Sequence, residues 1–306
     1  MPKTLLRLGT RGSPLALVQA HMVRDTLITT HGWSKDAIEI VVVKTTGDRV
    51  QDRALAEIGG KALWTKELDG ALLTGEIDLA VHSMKDVETV RPAEIRIAAM
   101  LPRADVRDRL IGAQSIAALK PAARIGTSSP RRAAQLQRLR PDLQITLLRG
   151  NVDTRLGKVA SGEVDATLLA AAGLDRLGRG DVGVPIPLDV MLPAPAQGAV
   201  GIETRADDAP VRDLVAAIGD AATYRCVMAE RALLAQLSAD CHSPVAALAR
   251  LDGNSLTLRA ELYSENGQDH VAGDIQSDGD DQAAAAALAR DLVARAPEAV
   301  RVLFGA

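Results

Sequence analysis

Aromatic side chains are nearly missing from this chain, which has one Phe, two Trp and two Tyr in 306 residues. The core must therefore be Ala, Leu, Val and Ile, and the surface lacks the stacking platforms on which single-stranded nucleic-acid sites rely. A formal net charge of -3 at pH 7 also argues against a general nucleic-acid binder. Cysteine is scarce too. Cys226 and Cys241 provide neither a disulfide framework nor a CxxC metal pair. His21, His31, His82 and His270 show no ligand spacing with Cys241, and no metal site is expected. No apolar run approaches a membrane span, and the one near the N-terminus is too short and interrupted for a signal peptide. The expectation is a cytoplasmic protein with free thiols and no membrane contact. A chain of this length is too long for one ordinary core, so two or three domains are expected.

What the chain does have is a concentration of anion-binding groups between Arg124 and Arg155, ARIGTSSPRRAAQLQRLRPDLQITLLRGNVDTR counted from Ala123. The pattern reads as strand, helix, strand and the start of another helix. Ser129 is the expected N-cap and Pro130 the first helical residue, so free backbone N–H groups should point out of the end of the preceding strand. Arg131 and Arg132 then fall in the first turn, where cations oppose the helix macrodipole at about 0.3–1 kcal/mol each. Two arginines there imply an anion between them and the dipole. Arg149 repeats the arrangement after the next strand, and Arg155 lies one turn into the next helix. Basic residues dominate this stretch while the whole chain is acidic. The partner implied is a discrete polyanion. Arg138 and Arg140 read as ordinary surface residues.

The N-terminal segment has the same logic. A strand at residues 5–8 leads through Gly9-Thr10-Arg11-Gly12 to Ser13 as cap and Pro14 as first helical residue. LGTRGSP and IGTSSP thus echo each other, and a second echo follows each: Gly75-Glu76-Ile77-Asp78 and Gly162-Glu163-Val164-Asp165. Two α/β domains of similar plan are expected. Residues 38–44 form a β-branched run, the signature of a strand covered on both faces. The polar stretch 46–61, ending in Gly-Gly, is long for a loop and should be functional or mobile. The strand IDLAVHS delivers Ser83, Lys85 and Asp86 at its carboxyl end, where open α/β sheets place their ligands. Residues 101–108 read as a crossover and 178–201 as the return, making a hinge between lobes. Beyond it, helices at 208–218 and 222–237 precede the loop 238–244. Short alternating strands over 245–274, with turns at Asp252-Gly253-Asn254 and Asn266-Gly267, and an Ala-rich helix over 281–295 read as a third, α+β domain.

The two thiols differ. Cys226 sits at helical spacing beside Val227, Leu233, Leu234 and Leu237 and reads as a buried structural cysteine. Cys241 lies in a turn with Asp240, His242 and Pro244. Cys-His neighbours on a turn do not make a protease dyad.

The segments LGTRGSPLAL, GGKALWTKEL, DLAVHSMKDV, IGTSSPRRAAQL, LLRGNVDTRL, LLAAAGLDRLG, PAQGAVGIE and ADCHSP together resemble the porphobilinogen deaminase (hydroxymethylbilane synthase) family over nearly the full chain. The resemblance implies two periplasmic-binding-protein-like α/β domains with a hinge and a small C-terminal α+β domain with an antiparallel sheet. The boundaries expected are 1–101 with 197–219, then 102–196, then 220–306. It implies a monomeric transferase of heme and tetrapyrrole biosynthesis that joins four porphobilinogen molecules head to tail, releasing four ammonia molecules. A covalent dipyrromethane cofactor, one per chain, would be held by a thioether to Cys241. By the match, Lys85, Thr127, Ser129, Arg131, Arg132 and Arg155 would hold the cofactor, with Ser83, Asn151 and Gly173. Arg11, Ser13, Arg149, Arg176 and Gln197 would serve the substrate and the growing oligopyrrole chain. Asp86 would be the catalytic carboxylate, ionised beside ring N–H groups as positive charge develops there. Residues 46–62 with Lys61 and Trp64 would be a lid. Two departures stand out: Ala239-Asp240 where the family often has Gly-Gly, and Trp64 where it often has Phe. Asp240 would tend to raise the thiol pKa. A two-lobed solute receptor would share the hinge frame, but would need neither Asp86 nor Cys241.

Overall fold

A computed structural model describes residues 6–44 and 65–304 of the chain. The lid expected over 46–62, with Lys61 and Trp64, lies outside the described residues. The chain divides into two compact units, one built from residues up to 104 with 199–224, the other from 105–198 with 225–306.

In the first unit, strand β1 (Leu6–Arg11) leads into helix α1 (Pro14–His31), followed by β2 (Ile38–Val43), α2 (Lys66–Leu73), β3 (Leu79–Ser83) and β4 (Ile95–Met100). The second holds β5 (Asp108–Ile111), β6 (Arg124–Gly126), α3 (Pro130–Leu139), β7 (Gln144–Thr146), α4 (Val152–Ala160), β8 (Ala166–Ala170), α5 (Ala171–Arg176) and β9 (Val184–Pro185). The chain then returns to the first unit as β10 (Val200–Arg205) and α6 (Ala209–Ala216). The sheet of the first unit has the order β2-β1-β3-β10-β4, and that of the second β7-β6-β8-β5-β9. Each has three parallel strands, then an antiparallel one, then an edge strand. The strand that runs against the others is in each case the one at a crossing, β10 on the return and β5 on arrival.

The sequence echoes have atomic counterparts. Asp78 accepts from the backbone N–H of Arg7 at 2.8 Å and returns its own N–H to the Arg7 carbonyl; Asp165 does the same with Arg124 at 2.7 Å. Each aspartate pins the start of the central strand to the turn before the third. Ser13 Oγ accepts from Ala16 N and Ser129 Oγ from Arg132 N, so both Ser-Pro pairs open their helices as expected. The echoed Gly-Thr has a packing cause. A Cβ at Gly9 would lie 2.2 Å from Ile77 Cδ1, and one at Gly126 2.6 Å from Leu148 Cδ2.

The strand Ile38–Val43 packs on both faces, as its β-branched run implied: Ile38 and Ile40 join a cluster with Ala20, Val23 and Leu27 of α1, and Val41 and Val43 one with Leu68, Ala71 and Leu72 of α2. The strand also lies at an edge of the sheet, with Glu39 exposed and Val42 49% exposed. A β-branched run reports strand propensity, while an edge place depends on position in the sheet.

Helix α7 (Ala221–Gln236) precedes a three-stranded antiparallel sheet, β11 (Val245–Asp252), β12 (Ser255–Tyr263) and β13 (His270–Ser277), covered by α8 (Asp281–Arg295). Cys226 is buried in this core, as its helical spacing implied. The sheet also packs on helix α3 through Ala134, Leu192, Ala246, Leu248 and Tyr263. The turn after β12 docks there as well. Gly267 has φ +69 and a Cβ on it would lie 2.0 Å from the Ala134 carbonyl oxygen. Gly267→Ala should therefore lower stability by about 1–3 kcal/mol, from clash and left-handed strain. Unchanged thermal unfolding of this variant would show that the turn does not depend on that contact.

Candidate functional site

On the first unit, the ends of β1 and β3 and the start of α1 make a pocket lined by Arg11, Ser13, Gln19, Thr65, Ser83 and Asp86, among others. Four of the residues expected from the sequence thus line one depression. Asp86 closes a single 3-10 turn, Met84–Asp86, directly after β3, and is half-buried. Lys85 lies in the same turn. Gln19, which sequence reasoning missed, donates to Ser83 Oγ at 2.8 Å and accepts from it at 3.1 Å, fixing that hydroxyl. The segments on either side of Asp86 contribute to a buried polar cluster. His82 Nε2 lies 3.1 Å from Glu203 Oε2, and Arg91 donates to Glu203, Asp69 and Glu88. Burial pushes Glu203 up, but His82 and Arg91 outweigh it and hold its carboxyl at about 2. Burial also raises Asp69, against the pull of Arg91.

On the second unit the arginines are organised around Asp108, another residue missed from sequence. Asp108 opens β5, is 3% exposed, and accepts from Arg131 Nη2 and Arg132 Nη2, each at 2.7 Å. Burial alone would raise its pKa; the two guanidiniums prevail and hold it well below the usual carboxylate range. Arg131 also donates to Gln135 Oε1 and the Leu192 carbonyl, and Arg132 to the Leu168 carbonyl. The anion implied at this helix start is therefore, in part, a carboxylate of the chain itself. Gln197 is fully buried, and its amide donates to Asp108 Oδ1 and the Val106 carbonyl. Gln197 thus shares Asp108 with the arginine pair.

One aspartate facing two arginines leaves an excess of positive charge. Four of the expected arginines also carry a buried N–H with no hydrogen-bond partner among the described residues: Arg131 Nε, Arg132 Nε, Arg149 Nη1 and Arg176 Nε. An unmade hydrogen bond of this kind costs roughly 1–3 kcal/mol, more for a charged group. Acceptors from outside the chain would relieve it, and carboxylates match guanidinium geometry best. Arg176, whose pKa is lowered by burial, is steadied by Nη2 donating to the Gly198 carbonyl at 2.7 Å. Arg155 donates from Nε to the Gly150 carbonyl and from Nη2 to Ser128 Oγ. Asn151 caps α4 by accepting from Thr154 N, Thr127 Oγ1 accepts from Ser129 N, and Gly173 lies in α5.

The exposed Cys241 belongs to the same unit as the arginines. Its loop follows α7, and the Asp240 carboxylate accepts from His242 N at 2.8 Å, closing the turn that presents the thiol. Asp240, a departure from the family pattern, is thus part of the turn's construction. Glu230, on the helix before the loop, accepts from Ala196 N at 2.5 Å and Ala249 N at 2.8 Å. One buried carboxylate therefore joins the return segment to β11. The thiol and the arginine helix are held on one scaffold.

Two family models match the chain: "Porphobilinogen deaminase, dipyromethane cofactor binding domain" over residues 6–213 and "Porphobilinogen deaminase, C-terminal domain" over residues 224–296. A porphobilinogen deaminase of Sphingopyxis alaskensis is 59% identical, the alignment covering 99% of this chain and 98% of that protein. One of Paracoccus denitrificans is 51% identical over 97% and 96%. Among solved structures, substrate binding domain 2 of Lactococcus lactis GlnP aligns over 72% of this chain and 88% of that one, with 10% identity and a TM-score of 0.42.

Proposed function

The chain belongs to the porphobilinogen deaminase family, and from this we infer that its residues divide a polymerisation between carboxylate capture, covalent priming and charge stabilisation. It is a transferase, a hydroxymethylbilane synthase. It condenses four porphobilinogen molecules head to tail, with release of four ammonia, in tetrapyrrole biosynthesis. Its cofactor is dipyrromethane.

The cofactor supplies the pyrrole position to which the first substrate is joined. Cys241 is the residue assigned to its thioether, being the exposed cysteine while Cys226 is buried. Arg131, Arg132 and Arg155, with Lys85, Ser83, Thr127, Ser129, Asn151 and Gly173, are assigned to the cofactor. Arg149 and Arg176, with Arg11 and Ser13, are assigned to the substrate and growing chain. The buried N–H groups of Arg131, Arg132, Arg149 and Arg176 that have no partner among the described residues are the observation that carries the assignment of these arginines, because every pyrrole unit brings two carboxylates. Gln197 is assigned to the substrate with Arg149 and Arg176, and its amide also donates to Asp108. Asp86, ionised, stabilises the positive charge that develops on a substrate ring nitrogen as ammonia departs, and takes up or returns the N–H proton. No helix among the described residues is long and apolar enough to cross a membrane. Cytoplasmic location and a monomeric state complete the reading.

The test is the intact mass of the purified protein under denaturing conditions. Added mass equal to two linked pyrrole units supports it. A bare chain that stays bare after incubation with porphobilinogen overturns it. Asp86→Glu should retain that added mass yet turn over about 100-fold more slowly, since moving a catalytic group by one methylene costs about that much. Turnover within a few-fold of the parent would remove Asp86 from the chemistry.

A further inference from the structure

The geometry points to Arg91 as a positioning residue for Asp86, acting through Glu88 and Glu203 as a bracket around the turn that carries the carboxylate. The inference rests on the reading of Asp86 given above. No feature of the sequence singles out Arg91, which follows the strand by eight residues in a stretch of mixed polarity.

The argument begins with where the guanidinium goes. Its side chain is only 7% exposed, and its three nitrogens are divided among three carboxylates. Nη1 donates to Glu88 Oε2 at 2.6 Å, Nη2 to Asp69 Oδ1 at 2.5 Å and to Glu203 Oε2 at 2.9 Å, and Nε to Glu203 Oε1 at 2.8 Å. Glu203 is thus gripped by both oxygens, the bidentate geometry that only arginine supplies. Each carboxylate leads to a different wall of the Asp86 pocket. Glu203 lies on β10, the neighbour of β3, and its Oε2 is 3.1 Å from Nε2 of His82, four residues before Asp86. Glu88 is two residues after Asp86. Asp69 sits on α2, and its backbone N–H donates at 2.7 Å to the carbonyl of Thr65, which lines the pocket.

One cation therefore holds the chain on both sides of the catalytic turn and the helix start opposite it. The turn itself is short. Inside it, the Val87 N–H donates to the Met84 carbonyl at 3.3 Å, and Met84 N donates to the Ala199 carbonyl at 3.1 Å. The ion pair of Glu88 with Arg91 adds a side-chain tie to the segment after Asp86. A catalytic carboxylate must be held to within about 0.5 Å of its productive place, which calls for supports of this kind.

Glu88→Ala, Glu88→Gln, Arg91→Lys and the reference Asp86→Glu would be compared with the parent as holoenzymes, each verified by cofactor mass. Glu88→Ala cuts the link to the turn and leaves Arg91 on Glu203 and Asp69, so the fold should survive. Its kcat is expected to fall about 10-fold with KM within twofold, while Glu88→Gln, which still accepts from Arg91, recovers most of the loss. Arg91→Lys, a single point charge in place of the fork, should lose at least as much as Glu88→Ala. If Glu88→Ala keeps kcat within twofold while Asp86→Glu is slow, the bracket has no catalytic role and the proposal is overturned. If Asp86→Glu is itself as fast as the parent, the reading of Asp86 fails first. Equal losses in Glu88→Ala and Glu88→Gln, tracking thermal stability, would also overturn it.

Discussion

Cys241→Ser is expected to emerge from purification at the mass of the bare chain, and with activity lower by three orders of magnitude or more. A thiolate is the nucleophile in cysteine chemistry, and a serine hydroxyl at the same place stays protonated and far less reactive. Because Cys241 is exposed on a turn, the substitution should leave the fold of the apoprotein intact. A fall in melting temperature relative to the holoprotein is still expected, as a group bound only to the native state stabilises it. The informative comparison is therefore with apoprotein of the parent. Cys241→Ser should match it in stability and, unlike it, remain bare on incubation with porphobilinogen. A mutant that acquires the two-pyrrole mass would move the attachment elsewhere, and Cys226, buried in the core of the third sheet, would not be the place to look.

Asp108→Ala should be the most damaging substitution outside the chemistry. Two buried guanidiniums would then face each other without a counter-ion, and breaking a buried pair in this way costs about 3–5 kcal/mol. The same change removes one of the two acceptors of the Gln197 amide. Denaturant unfolding should show the loss, and intact mass should show a reduced holo fraction, because Arg131 and Arg132 would no longer be held in place. Asp108→Asn keeps an acceptor but not the charge, and should lie between. The sign of the pH dependence follows from the depressed carboxyl of Asp108. Its contribution is fully present above the unfolded value, about 3.9, and is lost as pH falls through the lower folded value. Glu203, held at about 2, acts in the same direction. The stability gap between parent and Asp108→Asn should therefore be constant near neutrality and narrow only below about pH 4. A gap that does not change with acid would mean that Asp108 acts by shape and not by charge.

How far the chain itself decided these matters differs from residue to residue. Ser13-Pro14 and Ser129-Pro130 determine two helix starts by local chemistry alone, because a hydroxyl cap and a fixed φ act within one turn. The paired echoes determine a duplicated plan, since Asp78 and Asp165 act on residues whose counterparts recur in the same order. The run of motifs determines the family. The alternating strands and turns after residue 245 likewise announce the antiparallel sheet. Tertiary structure decided what lay beyond local range. Arg131 and Arg132 look in sequence like groups awaiting a ligand, yet their first partner is Asp108, more than twenty residues earlier and on another strand. Gln197 reads as a substrate contact in PAQGAVGIE, and its hydrogen bond to that same aspartate has no mark in the sequence. The β-branched run at 38–43 carries no mark of its edge position. Arg91 and Glu203 are 112 residues apart, and only the pairing of β10 with β3 brings Glu203 beside the strand that leads to Asp86. Periodicity and capping are properties of neighbours along the chain, whereas the choice of counter-ion for a buried charge is a property of the packed sheet.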